Sequence, residues 1–358
     1  MANCQLNLFL SIYFFVVLAD FQIHVAISKP QVPCYFIFGD SLFDSGNNNQ
    51  LVSTVKSDYP PYGTDFPQGV TGRFTNGRTI ADIIGELLGF KEYIPSYATV
   101  TDQHISQGVN YASGGSGIRE ETGSHMGGRI SLDKQLLNHH SIVSRLFHLQ
   151  QNTTFTREHL SKCIYIVNIG SNDYINNYLK PKIYTTSHMY TTNQYAKILV
   201  RQYSRQLKGL YDLGGRKIAV FGLGLIGCSP AEISIFGTEG RPCVKSINDA
   251  VRLFNNKLKP VVDELNAYNS DAKFTFINVT SISTQQGGKV LTNVPSCILR
   301  ADGQCAQTTL TSPVRTISMY YDGYHPTEVS NIHTAKLSYN STSRMDASPY
   351  DISHLVRL

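Results

Sequence analysis

Cys34-Tyr35-Phe36-Ile37-Phe38-Gly39-Asp40-Ser41-Leu42 opens with an unbroken apolar run and stops at a glycine followed by two polar residues. A short apolar run bounded by a turn signal reads as a buried strand. The run at 34–38 is the first of a series. A shorter one at 109–112 precedes Ser113-Gly114-Gly115, a strong one at 163–169 leads into Gly170-Ser171-Asn172-Asp173, and two more lie at 217–221 and 273–278. Helical periodicity occupies the intervals at 80–88, 132–149, 193–213 and 247–268. In the third of these Tyr195, Leu199, Gln202, Gln206 and Leu210 track one side, apolar at the ends and softer in the middle, and Gly214-Gly215 stops it. Strands separated by helices imply right-handed crossovers and a parallel sheet. The expected fold is therefore α/β, a three-layer α/β/α sandwich around a five-stranded parallel sheet. In such sheets ligands sit at the carboxyl ends of the strands, and the polar, glycine-rich segments fall there.

The chain has 358 residues, of which 41% are hydrophobic and 16% charged. That suits one large domain with a sizeable core and argues against disorder. No repeat and no Pro-, Gly- or Ser-rich linker divides it. The formal charge of +5 comes from scattered Lys and Arg, which forms no nucleic-acid footprint and serves solubility. The segment 6–18 is apolar but too short to span a bilayer, and Ala26 and Ser28 are small residues spaced as a signal-peptidase site requires. We expect a signal peptide at 1–28, although no Lys or Arg precedes its apolar run, and a single domain at 29–358 that is secreted and not inserted in a membrane.

Of the seven cysteines, Cys4 would leave with the signal. Cys228 and Cys243 flank one loop and Cys297 and Cys305 another, so both are expected to pair in an oxidising compartment. Cys34 and Cys163 each open a core strand, where free cysteine is common; they are expected unpaired, with a third bridge open because the two strands would be neighbours. No Cys-x-x-Cys occurs, so no metal site and no cofactor is expected. Asn152, Asn278 and Asn340 begin N-glycosylation sequons.

Ser41 stands at a strand end taken to lead into a helix, where Gly-Asp-Ser can present a nucleophile or merely cap the helix. A serine needs a base. Among the eleven histidines, His325 lies three residues after Asp322 in Tyr321-Asp322-Gly323-Tyr324-His325-Pro326, with Pro326 placed to begin a helix. That spacing lets the carboxylate reach the imidazole and set its tautomer. Gly114-Gly115 lets backbone approach a substrate, and Asn172 offers a carboxamide N–H, so both can donate to an oxyanion. No Gly-x-Ser-x-Gly elbow is present.

At this point the chain resembles the plant branch of the GDSL-motif esterase/lipase family, the SGNH hydrolases. The likeness rests on 38–48, on Arg73-Phe74-Thr75-Asn76-Gly77-Arg78, on 110–117, on Ile169-Gly170-Ser171-Asn172-Asp173-Tyr174 and on Asp322-Gly323-Tyr324-His325-Pro326-Thr327. It covers nearly the whole chain after the signal. The resemblance implies a flavodoxin-like fold with strand order 2-1-3-4-5. It implies Ser41 as nucleophile, His325 as base and Asp322 as its partner. It also implies an oxyanion hole from the backbones of Ser41 and Gly115, with Gly114 as the alternative, and the side chain of Asn172. One departure is that the family usually carries Phe-Trp-Asp where this chain has Tyr320-Tyr321-Asp322; the chain contains no Trp. The expected activity is hydrolysis of lipid or other acyl esters outside the cell, in the wall or apoplast if the source is a plant. An acyltransferase using the same acyl-enzyme, or a non-catalytic secreted binding protein, are the alternatives.

Overall fold

Four in-register parallel strands carry the molecule: β1 (Tyr35–Gly39), β2 (Ile164–Asn168), β3 (Lys217–Phe221) and β4 (Lys273–Ile277). The computed structural model describes residues 29–285 and 291–358; the expected signal peptide and Cys4 lie outside them. Two further strands, β5 (Leu291–Pro295) and β6 (Ser318–Tyr320), pair with each other, and β7 (Ala347–Ser348) closes the main sheet, giving the order β1-β2-β3-β4-β7. Gln31–Leu358 is one compact unit.

Alternation along the strands divides the core. Phe36 and Phe38 of β1, Tyr165 and Val167 of β2, Ile218 and Val220 of β3 and Phe274 and Phe276 of β4 join one apolar cluster. Tyr35, Ile37, Ile164, Ile166, Ala219, Phe221 and Ile277 join another. Successive strand residues point to opposite faces, so both faces are covered, as a parallel sheet demands. The first face carries α2 (Leu132–Gln150), α3 (Thr153–Lys162), α4 (Thr192–Asp212) and α6 (Lys245–Tyr268); the second carries α1 (Ile80–Leu87) and α7 (Glu328–Tyr339). A short α5 spans Pro230–Phe236. The three-layer sandwich is as expected.

Three expectations about elements need correction. The fifth strand of the main sheet is β7, and it runs antiparallel to β4. The expected strand at 109–112 does flank β1, through Ile37 N to Val109 O (3.0 Å) and Tyr111 N to Ile37 O (2.8 Å). Its ladder is incomplete, because Gly39 N donates to Gln135 Oε1 at 2.9 Å and not to this segment, while Asn47 Nδ2 covers the far edge through the carbonyls of Asn110 and Ala112. Pro326 does not begin a helix; Thr327 caps α7, accepting from Ser330 N, and the helix starts at Glu328. The periodic helices, by contrast, fall within two residues of expectation at each end.

Cys228–Cys243 and Cys297–Cys305 are bridged. So is Cys34–Cys163, which corrects the expectation that both are free. The cause is register: Tyr35 pairs with Ile164, so the residues just before them face each other with Cα atoms 4.7 Å apart, inside the range a disulfide can span. The bridge joins residues 129 apart and so restricts the unfolded chain strongly. Non-reducing peptide mapping should recover all three bridges. Replacing Cys34 and Cys163 together by Ala should lower unfolding stability by about 2–5 kcal/mol, read from denaturant melts; an unchanged midpoint would remove that bridge from the account.

Candidate active site

Ser41 follows β1 directly, but the residues after it make a single turn and not a helix. Phe43 N and Asp44 N both donate to Asp40 O, while the Asp40 carboxylate accepts from Leu42 N and that of Asp44 from Gly46 N and Asn47 N. Carboxylates that bond nearby amides in this way compete with helical hydrogen bonds. Gly39 is required just before the turn: a Cβ there would stand 2.5 Å from Asn168 O of the neighbouring strand.

His325 reaches Ser41 from the other end of the chain. Its Nε2 is 2.7 Å from Ser41 Oγ, and its Nδ1 is 2.7 Å from Asp322 Oδ2. An ionised carboxylate only accepts, so Nδ1 carries the hydrogen and Nε2 is left as acceptor for the serine hydroxyl. Asp322 is wholly buried, and Ser41 and His325 are 8% and 7% exposed. The Asp322 Oδ1 atom accepts from Tyr324 N and His325 N, both at 2.8 Å. Phe74 packs against the imidazole with centroids 5.0 Å apart.

The proposed oxyanion donors separate into used and unused. Gly114 N donates to Asp44 Oδ2 (2.9 Å). Gly115 N and Ser41 N have no acceptor among the described residues, and both residues line the same cleft. Gly115 has φ +76°, a conformation that favours glycine. Asn172 lines that cleft too; its Oδ1 accepts from Asn176 Nδ2 and its Nδ2 donates one hydrogen to Ser116 O (3.0 Å), which leaves the second. Asp173, fully buried, binds the same glycine-rich loop through Ile118 N, Arg119 N and Thr122 Oγ1. Gln202 and Gln206, the softer middle of α4, both donate to Ile118 O at 2.9 Å. The cleft has a volume of about 390 Å³, and its apolar wall includes Leu42, Val55, Met126, Ile175, Ile226 and Ile235.

Several of these residues carried no sequence signal. Tyr62, in a Pro-Pro-Tyr-Gly turn, donates its hydroxyl to Asp322 Oδ2 at 2.7 Å across 260 residues. Cys34, His159 and Cys163 hold ligand-type atoms within 4.8 Å of one another, but the two sulfurs are joined in the disulfide. Of the sequon asparagines, Asn152 and Asn340 are exposed. Asn278 is partly buried and spends its amide on Met345 O (3.0 Å).

Asp40 sits in the cleft with Oδ2 buried and unpartnered. Burial pushes its carboxyl up to about 7, partly opposed by the hydrogen bond from Leu42 N and the nearby His325. The folded state therefore binds a proton that the unfolded chain releases near 3.8. Stability from this group is present below 3.8 and is lost as pH climbs towards 7. Asp40→Asn removes the ionisation. Its melting temperature should exceed that of the wild type at pH 8, with the gap shrinking in acid; a gap independent of pH would show that Asp40 ionisation does not matter to folding.

The comparisons with known proteins agree with one another. Residues 35–337 match the family profile described as GDSL-like Lipase/Acylhydrolase. A GDSL esterase/lipase of Arabidopsis thaliana is 46% identical over 347 residues, covering 94% of this chain and 95% of the relative. Another from the same plant is 44% identical over 352 residues, covering 96% and 97%.

Proposed function

Because the chain belongs to the GDSL-like lipase/acylhydrolase family and is a carboxylic-ester hydrolase, we propose that it works through an acyl-enzyme on Ser41, with His325 as base and Asp322 as its partner. The observation that carries this reading is the continuous chain Ser41 Oγ–His325 Nε2 and His325 Nδ1–Asp322 Oδ2, 2.7 Å at each link, opening into an apolar cleft. Ser41 Oγ attacks the ester carbonyl carbon and passes its proton to His325 Nε2. The carbonyl oxygen takes up negative charge and receives hydrogen bonds from Ser41 N, Gly115 N and Asn172 Nδ2. Asp322 stabilises the imidazolium without taking its proton. Collapse breaks the carbon–oxygen bond to the alcohol, which leaves with the proton from Nε2. Water then repeats the sequence and releases the acid. The alkyl part of an acyl ester suits the apolar wall.

An acceptor alcohol in place of water would make the same intermediate an acyltransferase. A purely binding role is disfavoured, since a binding protein has no need of a buried carboxylate aligned behind a His–Ser pair. We also propose that residues 1–28 direct secretion and 29–358 form the mature enzyme. Three disulfides fit an oxidising compartment, and exposure favours glycans at Asn152 and Asn340 over Asn278.

A chain-length series of acyl esters, run with purified protein, tests the substrate class. Ser41→Ala should abolish turnover and labelling by a fluorophosphonate while the melting temperature stays close to wild type; wild-type turnover in that variant would refute the assignment. Asp322→Asn should cost on the order of 10⁴ in kcat, as in another triad enzyme whose Asp was made Asn, and His325→Ala at least as much. Activity should fall on the acid side, since a protonated imidazole cannot accept the serine proton. An acid limb unchanged in an active His325→Ala protein would point to a different base.

A further inference from the structure

We propose that Tyr62 is a positioning residue for Asp322: its hydroxyl, oriented by the backbone of Cys305, donates to Oδ2 and holds the carboxylate in line with His325. This rests on the roles given above to Ser41, His325 and Asp322.

The case begins with the hydrogen-bond inventory of one carboxylate. The Oδ1 atom is held by two backbone amides of its own loop. The Oδ2 atom faces His325 Nδ1 and Tyr62 Oη, each at 2.7 Å. Tyr62 is the one side chain from outside the 322–325 loop that bonds Asp322 among the described residues. A phenol has a single hydrogen and can also accept. Cys305 N donates to Tyr62 Oη at 3.0 Å, so a lone pair is taken and the hydrogen is aimed at Oδ2. Burial, then the nearby Asp322 charge, push the phenol well above its ordinary value, so it stays a donor.

The surroundings fix that geometry from several directions. Tyr62 and Tyr321 are essentially inaccessible to solvent and pack edge to face with centroids 5.7 Å apart. Tyr62 also packs against Phe74, the ring that lies on His325. Tyr321 donates to Pro61 O at 2.5 Å, Tyr59 donates to Cys305 O at 2.8 Å, and Gly323 N donates to Gly303 O at 2.8 Å. The loop closed by Cys297–Cys305 thus rests on both the Tyr59–Tyr62 turn and the Asp322 loop. Among the described residues no Lys or Arg pairs with Asp322. A phenol donor supplies stabilisation of the buried anion that a lysine or arginine would provide elsewhere, without a competing charge beside the imidazole.

The test compares wild type, Tyr62→Phe, Asp322→Asn and the double variant, reading kcat, KM and the rate of Ser41 labelling by a fluorophosphonate. Tyr62→Phe keeps the ring and should lower kcat and the labelling rate about tenfold to a hundredfold, the range for a hydrogen bond to a charged group, with KM changed less than about twofold. In the Asp322→Asn background the same change should have little further effect, because the two act as one unit. Equal losses in both backgrounds would show a merely structural phenol and overturn the proposal, as would wild-type kcat in Tyr62→Phe. Wild-type kcat in Asp322→Asn would instead sink the underlying triad, and this inference with it. The Cys297→Ser/Cys305→Ser protein provides a second arm that leaves Tyr62 intact. Its kcat should fall several-fold at constant KM, and that loss should vanish when Asp322 is Asn; unchanged kcat would overturn the role given to Cys305.

Discussion

The in-register pairing of β1 with β2 governs where the remaining parts can stand. At one end of the pair it sets Cys34 against Cys163. At the other end it sets Gly39 against Asn168, so that the two loops leaving the sheet, one with Ser41 and one with Asn172, emerge side by side. The strands can approach only because Gly39 has no side chain to meet Asn168 O. Gln135 of α2 then locks the junction, accepting from Gly39 N at 2.9 Å and donating to Gly39 O at 2.8 Å. A slip by one residue would exchange the two apolar faces of β1 and separate the two loops.

Above that sheet the molecule concentrates buried carboxylates. Each meets the cost of desolvation in its own way. Asp82 is pushed up by burial, but the Arg73 guanidinium more than reverses this and holds it below its ordinary value. Asp173 has only neutral donors, and burial raises it to about 6. Asp40 has one donor and reaches about 7. Asp322 has four hydrogen bonds, three of them from a phenol and two backbone amides and the fourth from the imidazole whose cationic form it is proposed to stabilise. The gradient runs from a structural ion pair at the first turn of α1 to polar groups at the cleft, where a fixed cation would alter the chemistry.

The fold was legible because periodicity is a local property. The apolar runs at 34–38, 163–169, 217–221 and 273–278 and the helices between them need only near neighbours to be recognised. The segment at 109–112 was misjudged because the Gly39 amide of β1 is taken by the carboxamide of Gln135, a long-range contact with no trace in the local pattern. The turn at Ser41 was taken for a helix start for a different reason: the carboxylates of Asp40 and Asp44 capture amides two and three residues on, a competition that apolar periodicity does not register. Asp322 and His325 were visible because their partnership spans three residues. Tyr62 was not, since a tyrosine in a proline-rich turn announces only the turn. The Cys34–Cys163 bridge sat between these cases, as adjacency of the strands was anticipated but register was not.

The long span between Ser41 and His325 has a consequence for the chain's biogenesis. They are 284 residues apart, and β2, β3, β4, most of the covering helices and the loop closed by Cys297–Cys305 lie between them in sequence. A polypeptide still emerging from the ribosome or translocation pore carries the proposed nucleophile early but has no base to activate it. Ester cleavage by this mechanism must therefore await near-complete translation and the docking of the last quarter of the chain. Delayed assembly of this kind would withhold ester cleavage from every incomplete chain.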